Sequence, residues 1–248
     1  MSDCTDAVKE QTFSYIGKNV ARIRAELAAA AQKAGVPVPR LLPVTKSASP
    51  DEFLALMRVL PDAAAENRVQ AWREREELLA AAGLPAPEWH LIGSLQTNKV
   101  KYVAGKVALI QSADSEKLIR EIGRVAEARG IRQDILIEIN SGREPDKGGA
   151  LPEDAPALAA FARSGSGVRL TGLMTMGPVL QNPDEYRPYF SRTRELCETL
   201  AARGLFETDE PILSMGMSDS YLPAVSEGAT MVRVGRALFR RENDESVR

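Results

Sequence analysis

The chain has a single histidine, His90. That excludes metal sites built from two or three histidines of one chain, and a Ser-His-Asp triad would have to use this one residue. Cysteine is nearly as scarce. Cys4 and Cys197 stand far apart and form no disulfide framework, so a reducing, cytoplasmic setting is expected. Neither sign of charge is in large excess: 32 Lys and Arg face 34 Asp and Glu, a net charge of −2. Without a basic surplus to neutralise phosphates, nucleic acid is not an expected partner. No apolar run approaches the roughly 20 residues that span a bilayer, so no membrane partner is expected either. The first ten residues are polar and acidic, unlike a secretory signal. What is present is an ordinary globular composition, 44% hydrophobic and 27% charged over 248 residues. That length suits one large domain or two small ones.

Hydrophobic periodicity divides the chain into alternating helical and extended stretches. From about Asp6 to Ala34, Val20, Ile23, Leu27 and Ala30 recur at helical spacing, and Gly35 with Pro37 stops the run. Strands are then expected at Leu41–Thr45, Ala63–Glu66, Trp89–Ile92, Val107–Gln111, Asp134–Asn140, Val168–Met174, Pro211–Met215 and Met231–Val234. A helical pattern follows each: from Ser49, then Arg68–Ala82, Leu95–Val103, Ser115–Ala128, Glu153–Arg163, Glu185–Arg203, Tyr221–Gly228 and Arg236–Glu242. Ala63–Glu66 has the weakest claim, and Pro43 counts against the first strand because proline cannot donate to a ladder, which is tolerable only where its missing N–H faces an unpaired position. Eight strand–helix units behind a leading helix predict an α/β protein, a single (β/α)8 barrel with an extra N-terminal helix. A doubly wound open sheet is the rival. No linker, low-complexity stretch or internal repeat marks a boundary, so residues 1–248 are read as one domain.

Several familiar motifs fail. Gly216-Met217-Ser218-Asp219-Ser220 begins like a nucleophile elbow but ends in serine. Gly165-Ser166-Gly167 lacks the third glycine of a dinucleotide fingerprint, Leu170 standing in its place, and no P-loop occurs. Lys99 and Lys101 read as a solvated helix face. Three stretches carry chemistry. In Arg40-Leu41-Leu42-Pro43-Val44-Thr45-Lys46-Ser47, an apolar run ends in an amine at the carboxyl end of a strand, where parallel α/β folds build their sites. Read alone, such a lysine is usually solvated. In Arg233-Val234-Gly235-Arg236, the N–H groups of Gly235 and Arg236 open the last helix. Barrels often hold a phosphate at the loops after strands seven and eight, although a lone glycine there reads as punctuation. Ser214, in Leu213-Ser214-Met215-Gly216, offers a hydroxyl beside that loop or else caps a turn.

Taken in order, these stretches form a series. It comprises Val44-Thr45-Lys46, Glu66-Asn67-Arg68-Val69-Gln70, Trp89-His90-Leu91-Ile92-Gly93-Ser94-Leu95-Gln96-Thr97-Asn98-Lys99, Gly172-Leu173-Met174-Thr175-Met176, Leu213-Ser214-Met215-Gly216-Met217-Ser218-Asp219 and Met231-Val232-Arg233-Val234-Gly235-Arg236. The series resembles the pyridoxal phosphate homeostasis protein family, also called the proline synthase co-transcribed family, over about residues 17 to 239. The resemblance implies the type III pyridoxal phosphate fold, a barrel like the N-terminal domain of alanine racemase. It implies that Lys46 carries pyridoxal 5′-phosphate as a Schiff base and that Arg233 lies at the pyridine nitrogen. A guanidinium there disfavours protonation of the ring and makes a weak electron sink. Ser214 and the backbone of Gly235 and Arg236 would hold the phosphate, with Asn67 at the cofactor's edge and Met215 packing beside it.

Three positions depart from the family pattern. Asp62-Ala63-Ala64-Ala65 replaces a usual Phe-Gly pair before Glu66, Arg236 stands where a small hydroxyl residue is common, and Arg240 where many members have glycine. His90, Gln96, Asn98 and Lys99 belong to the family signature, with structural hydrogen bonding and ligand contact both open for them. Lys147 reads by itself as a solvated side chain but matches a family lysine, so solvation and a secondary acceptor role for the cofactor both stay open for it. The implied function is intracellular cofactor homeostasis without robust catalysis, with apoenzymes that depend on pyridoxal phosphate as recipients and a monomeric or weakly dimeric state. The alternative is a type III enzyme such as an amino-acid racemase. Such an enzyme takes a second base from an additional domain, and this chain ends just past the barrel, so that base is not expected.

Overall fold

The computed structural model describes residues 12–241. Its first element is helix α1 (Ser14–Ala34), and the part of the expected helix before Thr12 lies outside the described residues, as do Cys4 and Glu242. Ile16, Val20, Ile23, Leu27 and Ala31 form the buried stripe of α1, one face of a 3.6-residue repeat. Eight strands follow: β1 (Arg40–Pro43), β2 (Ala63–Glu66), β3 (Glu88–Leu91), β4 (Leu109–Ala113), β5 (Gln133–Ile139), β6 (Val168–Thr175), β7 (Ile212–Ser214) and β8 (Met231–Val234). Between them run α2 (Pro50–Val59), α3 (Val69–Ala82), α4 (Val100–Val103), α5 (Glu116–Glu127), α6 (Ala155–Ser164), α7 (Arg187–Ala202) and α8 (Tyr221–Ser226). A short α9 (Arg236–Phe239) follows β8. Helix α2 opens on a capping box, with Ser49 Oγ accepting from the Glu52 N–H and Glu52 Oε2 accepting from the Ser49 N–H.

The strands pair in parallel in the order β1-β8-β7-β6-β5-β4-β3-β2. The ends of this sheet meet, since Val44 bridges Ala65 and the Thr45 N–H donates to the Ala65 carbonyl at 3.0 Å. The sheet is therefore a nearly closed barrel and not a doubly wound open sheet. Pro43 explains why the seam is thin. Arg40 and Val44 point their N–H groups toward β8, bonding to Thr230 and Val234, whereas Thr45 points its own toward β2. By that alternation the missing N–H of Pro43 faces the seam, so proline costs the ladder a bond only where pairing is already sparse.

Side chains alternate between two surroundings. Leu42, Val44, Ala63, Ala65, Ile92 and Met231 pack inside the barrel, as do Leu109, Leu136 and Met174 against Ile212. Their neighbours along the strands join the larger core beneath the helices, which includes Leu41, Ala64, Trp89, Ile110, Ile135 and Leu213. Both faces of the sheet are covered, as parallel sheets require. β2 is a strand despite alanine's low β-propensity, because all four of its residues are buried and pair in register with β3. β4 starts two residues later than the periodicity suggests: Val107 still donates back to Val103 in the turn that ends α4, and pairing with β3 begins from Ala108. The helix expected over Leu95–Val103 is a 3₁₀ turn (Thr97–Lys99) followed by the short α4. β7 stops at Ser214, leaving Met215 just beyond it. Among the described residues no helix is long and apolar enough to cross a membrane.

At one place the sheet tolerates no side chain. A Cβ on Gly172 of β6 would lie 2.0 Å from the Ile212 oxygen of β7. Gly172→Ala is expected to destabilise the fold by about 2–3 kcal/mol by forcing the strands apart. In thermal unfolding that corresponds to a melting temperature lower by roughly 5–10 °C. A Cβ on Gly17 of α1, by contrast, would meet nothing within 4 Å. Gly17→Ala is therefore expected to act in the opposite sense, raising stability by about 0.5–1 kcal/mol.

Candidate functional site at the barrel mouth

Lys46 stands just past the carboxyl end of β1 and is exposed. Its backbone is held far more tightly than its side chain. The Ala48 N–H donates to the Thr45 carbonyl at 3.0 Å. From α3, the Arg75 guanidinium donates to the carbonyls of Thr45 (3.0 Å) and Ala48 (2.6 Å), on either side of the lysine. Thr45 Oγ1 donates to Glu66 Oε1 at 2.6 Å, and Arg75 Nε lies 3.5 Å from the same oxygen. Arg75 itself rests on the ring of Phe53, 4.8 Å from its centroid. A cleft of about 510 Å³ opens here, lined by Lys46, Ala48, Glu66, Glu74, Arg75 and Leu78 among others. No hydrogen bond or ion pair among the described residues engages the Lys46 amine.

The upper interior of the barrel is polar. Arg233 of β8 is 2% exposed. Its guanidinium donates to Ser214 Oγ at 2.7 Å and to the Thr175 carbonyl at 2.9 Å. Ser214 Oγ donates to Gln111 Oε1 at 2.7 Å, and Gln111 Nε2 lies 2.8 Å from His90 Nδ1. Burial pulls Arg233 down to about 10, opposed by the charge of Glu138, so the guanidinium stays protonated at neutral pH. Glu138 of β5 is pushed up to about 7 by burial, with Arg233 lowering it and Asp114 raising it further. Burial also pulls His90 below its ordinary value against the raising influence of Glu88, which favours the neutral ring.

The loops after β7 and β8 form a third part. A Cβ on Gly235 would stand 3.1 Å from the Val44 oxygen, so glycine lets this turn lie against the end of β1. No backbone carbonyl among the described residues accepts from the N–H of Gly235 or Arg236. Ser218 Oγ accepts from the Ala237 N–H at 3.2 Å, which leaves the Ser218 proton uncommitted. The Arg236 guanidinium turns away to pair with Asp219 and ties the two loops together. Two unpaired N–H groups and a hydroxyl side by side make a cradle for a phosphate-sized anion.

Among the residues singled out from the sequence, Arg233 and Ser214 are in direct contact, Gly235 touches the end of β1, and Arg236 adjoins Gly235. Asn67 is half-buried at the end of β2, its backbone so close to Gly93 that a Cβ there would be 2.2 Å from the Asn67 oxygen. Met215 is fully buried in the core beneath the helices, and its N–H donates to the Met231 carbonyl. Of the family signature, His90 lies in β3 with its side chain inside the barrel, whereas Gln96, Asn98 and Lys99 beyond the strand are exposed. Lys147 is in the loop after β5, paired with Glu144 at 2.7 Å. Sequence reasoning missed Gln111, Glu138 and Ser218. For Glu138 a signal existed: one carboxylate amid the apolar run Ile135-Leu136-Ile137-Glu138-Ile139, on the same face as the interior residue Leu136.

The family model of the alanine racemase N-terminal domain matches residues 19–242. The pyridoxal phosphate homeostasis protein of Aquifex aeolicus is 42% identical over 200 residues, 81% of this chain and 86% of that protein. Its namesake in Deinococcus radiodurans is 40% identical over 223 residues, 89% of this chain and 97% of that one. Among solved structures, PipY of Synechococcus elongatus with PLP bound superposes with a TM-score of 0.79 at 28% identity, covering 91% of this chain and 100% of that one. With a barrel of that shape and relatives of that identity along most of its length, the chain belongs to the pyridoxal phosphate homeostasis protein family, within the alanine racemase N-terminal domain fold.

Proposed function

We propose that this chain is a single-domain carrier that binds pyridoxal 5′-phosphate at the barrel mouth, keeps the free cofactor scarce and yields it to apoenzymes. The observation that carries the reading is an uncommitted amine, Lys46, on a turn pinned by Arg75 and Glu66. When bound, the cofactor supplies an aldehyde carbon open to attack by an amine and a ring that can accept electron density. Lys46 is the anchor for that carbon. Ser218 Oγ–H and the N–H groups of Gly235 and Arg236 would hold the phosphate, and the donor set suits it: each offers a proton, and the side chain of Arg236 is not needed. Arg233, which has only donors, would lie at the ring nitrogen and disfavour its protonation. Asn67 lies at the edge of the site. Ser214 is already engaged by Arg233 and Gln111, so its part is to support Arg233.

The absence of robust turnover belongs to the same proposal, supported by the homeostasis names of the relatives. Incubation with L-amino acids in deuterium oxide is expected to give no α-proton exchange at a turnover-like rate; such exchange would favour a racemase-like enzyme instead.

Titrating the protein with pyridoxal 5′-phosphate is expected to produce a visible absorbance band that Lys46→Ala abolishes. A band that persists in the variant removes Lys46 from the anchor role, and a wild type with no band removes the whole reading. Ser218→Ala is expected to weaken binding about tenfold, the loss of one hydrogen bond to a charged group. Glu138 makes a separate prediction about stability. Its folded value, about 7, exceeds its ordinary 4.5, so the folded state binds the extra proton. Stability is therefore fullest below the ordinary value and falls as pH rises toward 7. Glu138→Gln is expected to match the wild type near pH 4 and to exceed it at pH 8 by up to roughly 3 kcal/mol in denaturant unfolding. Equal differences at both pH values would disprove this.

A further inference from the structure

We infer that His90, Gln111 and Ser214 form a one-way hydrogen-bond chain that positions Arg233, with His90 locked as the neutral Nε2–H tautomer and the Ser214 proton turned away from the ligand.

Valence forces the direction. A guanidinium has donors and no acceptor, so Ser214 Oγ must accept from Arg233 at 2.7 Å. The single Ser214 proton then goes to the other partner within reach, Gln111 Oε1 at 2.7 Å. With that oxygen accepting, the amide end facing His90 is the NH₂, and it donates to Nδ1 at 2.8 Å. Nδ1 must present its lone pair, which leaves the proton of a neutral imidazole on Nε2. Each member is nearly or wholly excluded from solvent: His90 is 2% exposed, Arg233 2%, and Gln111 and Ser214 0%. Turning the Gln111 amide over would make Ser214 Oγ accept from both Arg233 and Gln111 and leave the Ser214 proton with no partner in a buried space, where an unmatched polar group is costly.

The far end of the chain fits this polarity. His90 Nε2 has no hydrogen-bond partner among the described residues, and Glu88 Oε1 lies 3.7 Å from it, beyond bonding distance. Glu88 in turn pairs with Arg40 of β1 at 2.5 Å. An Nε2–H directed toward a carboxylate is electrostatically favourable, whereas a bare lone pair there would be repelled. Met231 Sδ, 3.4 Å from Gln111 Nε2, is the remaining neighbour of the amide. At the near end, the Thr175 carbonyl takes a second guanidinium bond at 2.9 Å. Two fixed bonds on different nitrogens set the plane of Arg233, and its remaining N–H groups are left for the ligand. Gln111 and His90 are positioning residues that act through Ser214.

The part of this inference that concerns the ligand rests on the proposed function, while the tautomer does not, and one set of experiments separates them. Since the chain holds one histidine, ¹⁵N-histidine labelling yields a single imidazole whose two nitrogens are read directly by NMR. A protonated Nε2 and an unprotonated Nδ1 at neutral pH are expected in the wild type. An Nδ1–H ring, or an equal mixture, would overturn the chain, and this measurement needs no variant to fold. Gln111→Leu is then expected to weaken pyridoxal 5′-phosphate binding about tenfold and to shift the bound absorbance band, since Arg233 loses its orienting partner. It should also abolish the tautomer preference of His90. Ser218→Ala should weaken binding while leaving the His90 spectrum unchanged. Wild-type affinity and an unshifted band in Gln111→Leu would refute the positioning role. A wild type with the expected His90 spectrum but no cofactor binding would instead count against the proposed function alone.

Discussion

The barrel is closed by very little. Between β1 and β2 the ladder shrinks to the Val44–Ala65 bridge and the Thr45 N–H bond, because Pro43 has no proton to give on that side. Side chains do what the backbone cannot. Thr45 reaches Glu66, and Arg75 spans from α3 to the carbonyls of Thr45 and Ala48. Two of these groups are charged and buried together, an arrangement that is stabilising only when both are also hydrogen-bonded, as here. The same contacts that complete the barrel fix the turn on which Lys46 stands. Closure of the fold and presentation of the amine are thus one structural event.

Polarity inside the barrel is graded along its axis. Leu42, Ala63, Leu109, Leu136 and Met231 fill the lower layers, and above them the strands contribute Gln111, Glu138, Ser214 and Arg233. Burying a guanidinium and a carboxyl in such a space is expensive. The cost is offset by the two hydrogen bonds to Arg233 and by its attraction to Glu138, which remains partly protonated near neutrality. A core built for stability alone would place leucine or methionine there. Retaining these charges at the mouth end, where the loops after β7 and β8 leave two N–H groups and the Ser218 hydroxyl free, fits a site for an anionic, ring-containing cofactor.

Some of this was legible in the residues and some was not. The strands expected at Asp134–Asn140 and Val168–Met174 are found at Gln133–Ile139 and Val168–Thr175, because a sheet buried on both faces leaves a long β-branched and leucine-rich run. Ala63–Glu66 was hard to read, since alanine has no local preference for a strand and its conformation comes from pairing with β3. The start of β4 was placed two residues early because Val107 is as apolar as a strand residue yet serves the preceding turn. At the site, Lys46, Arg233 and Gly235 could be named from an ordered set of motifs, but Gln111 sat unremarked within an expected strand. A glutamine gains a role only when His90 on one side and Ser214 on the other are seen to be within bonding distance, and those residues come from three different strands.

What the sequence determined by itself was the alternation of eight strands with helices, the family, and the short list of groups able to carry an aldehyde and a phosphate. These follow from local periodicity and from residue types at set spacings, which survive without any knowledge of distant neighbours. Only the tertiary structure decided that Pro43 faces the seam, that Ser214 gives its proton to Gln111 while Ser218 keeps its own, and that His90 lies inside the barrel while Gln96, Asn98 and Lys99 remain outside. Each of those depends on which atom of a remote strand comes within about 3 Å, the range at which a hydrogen bond forms. Closing the barrel is what brings those atoms together.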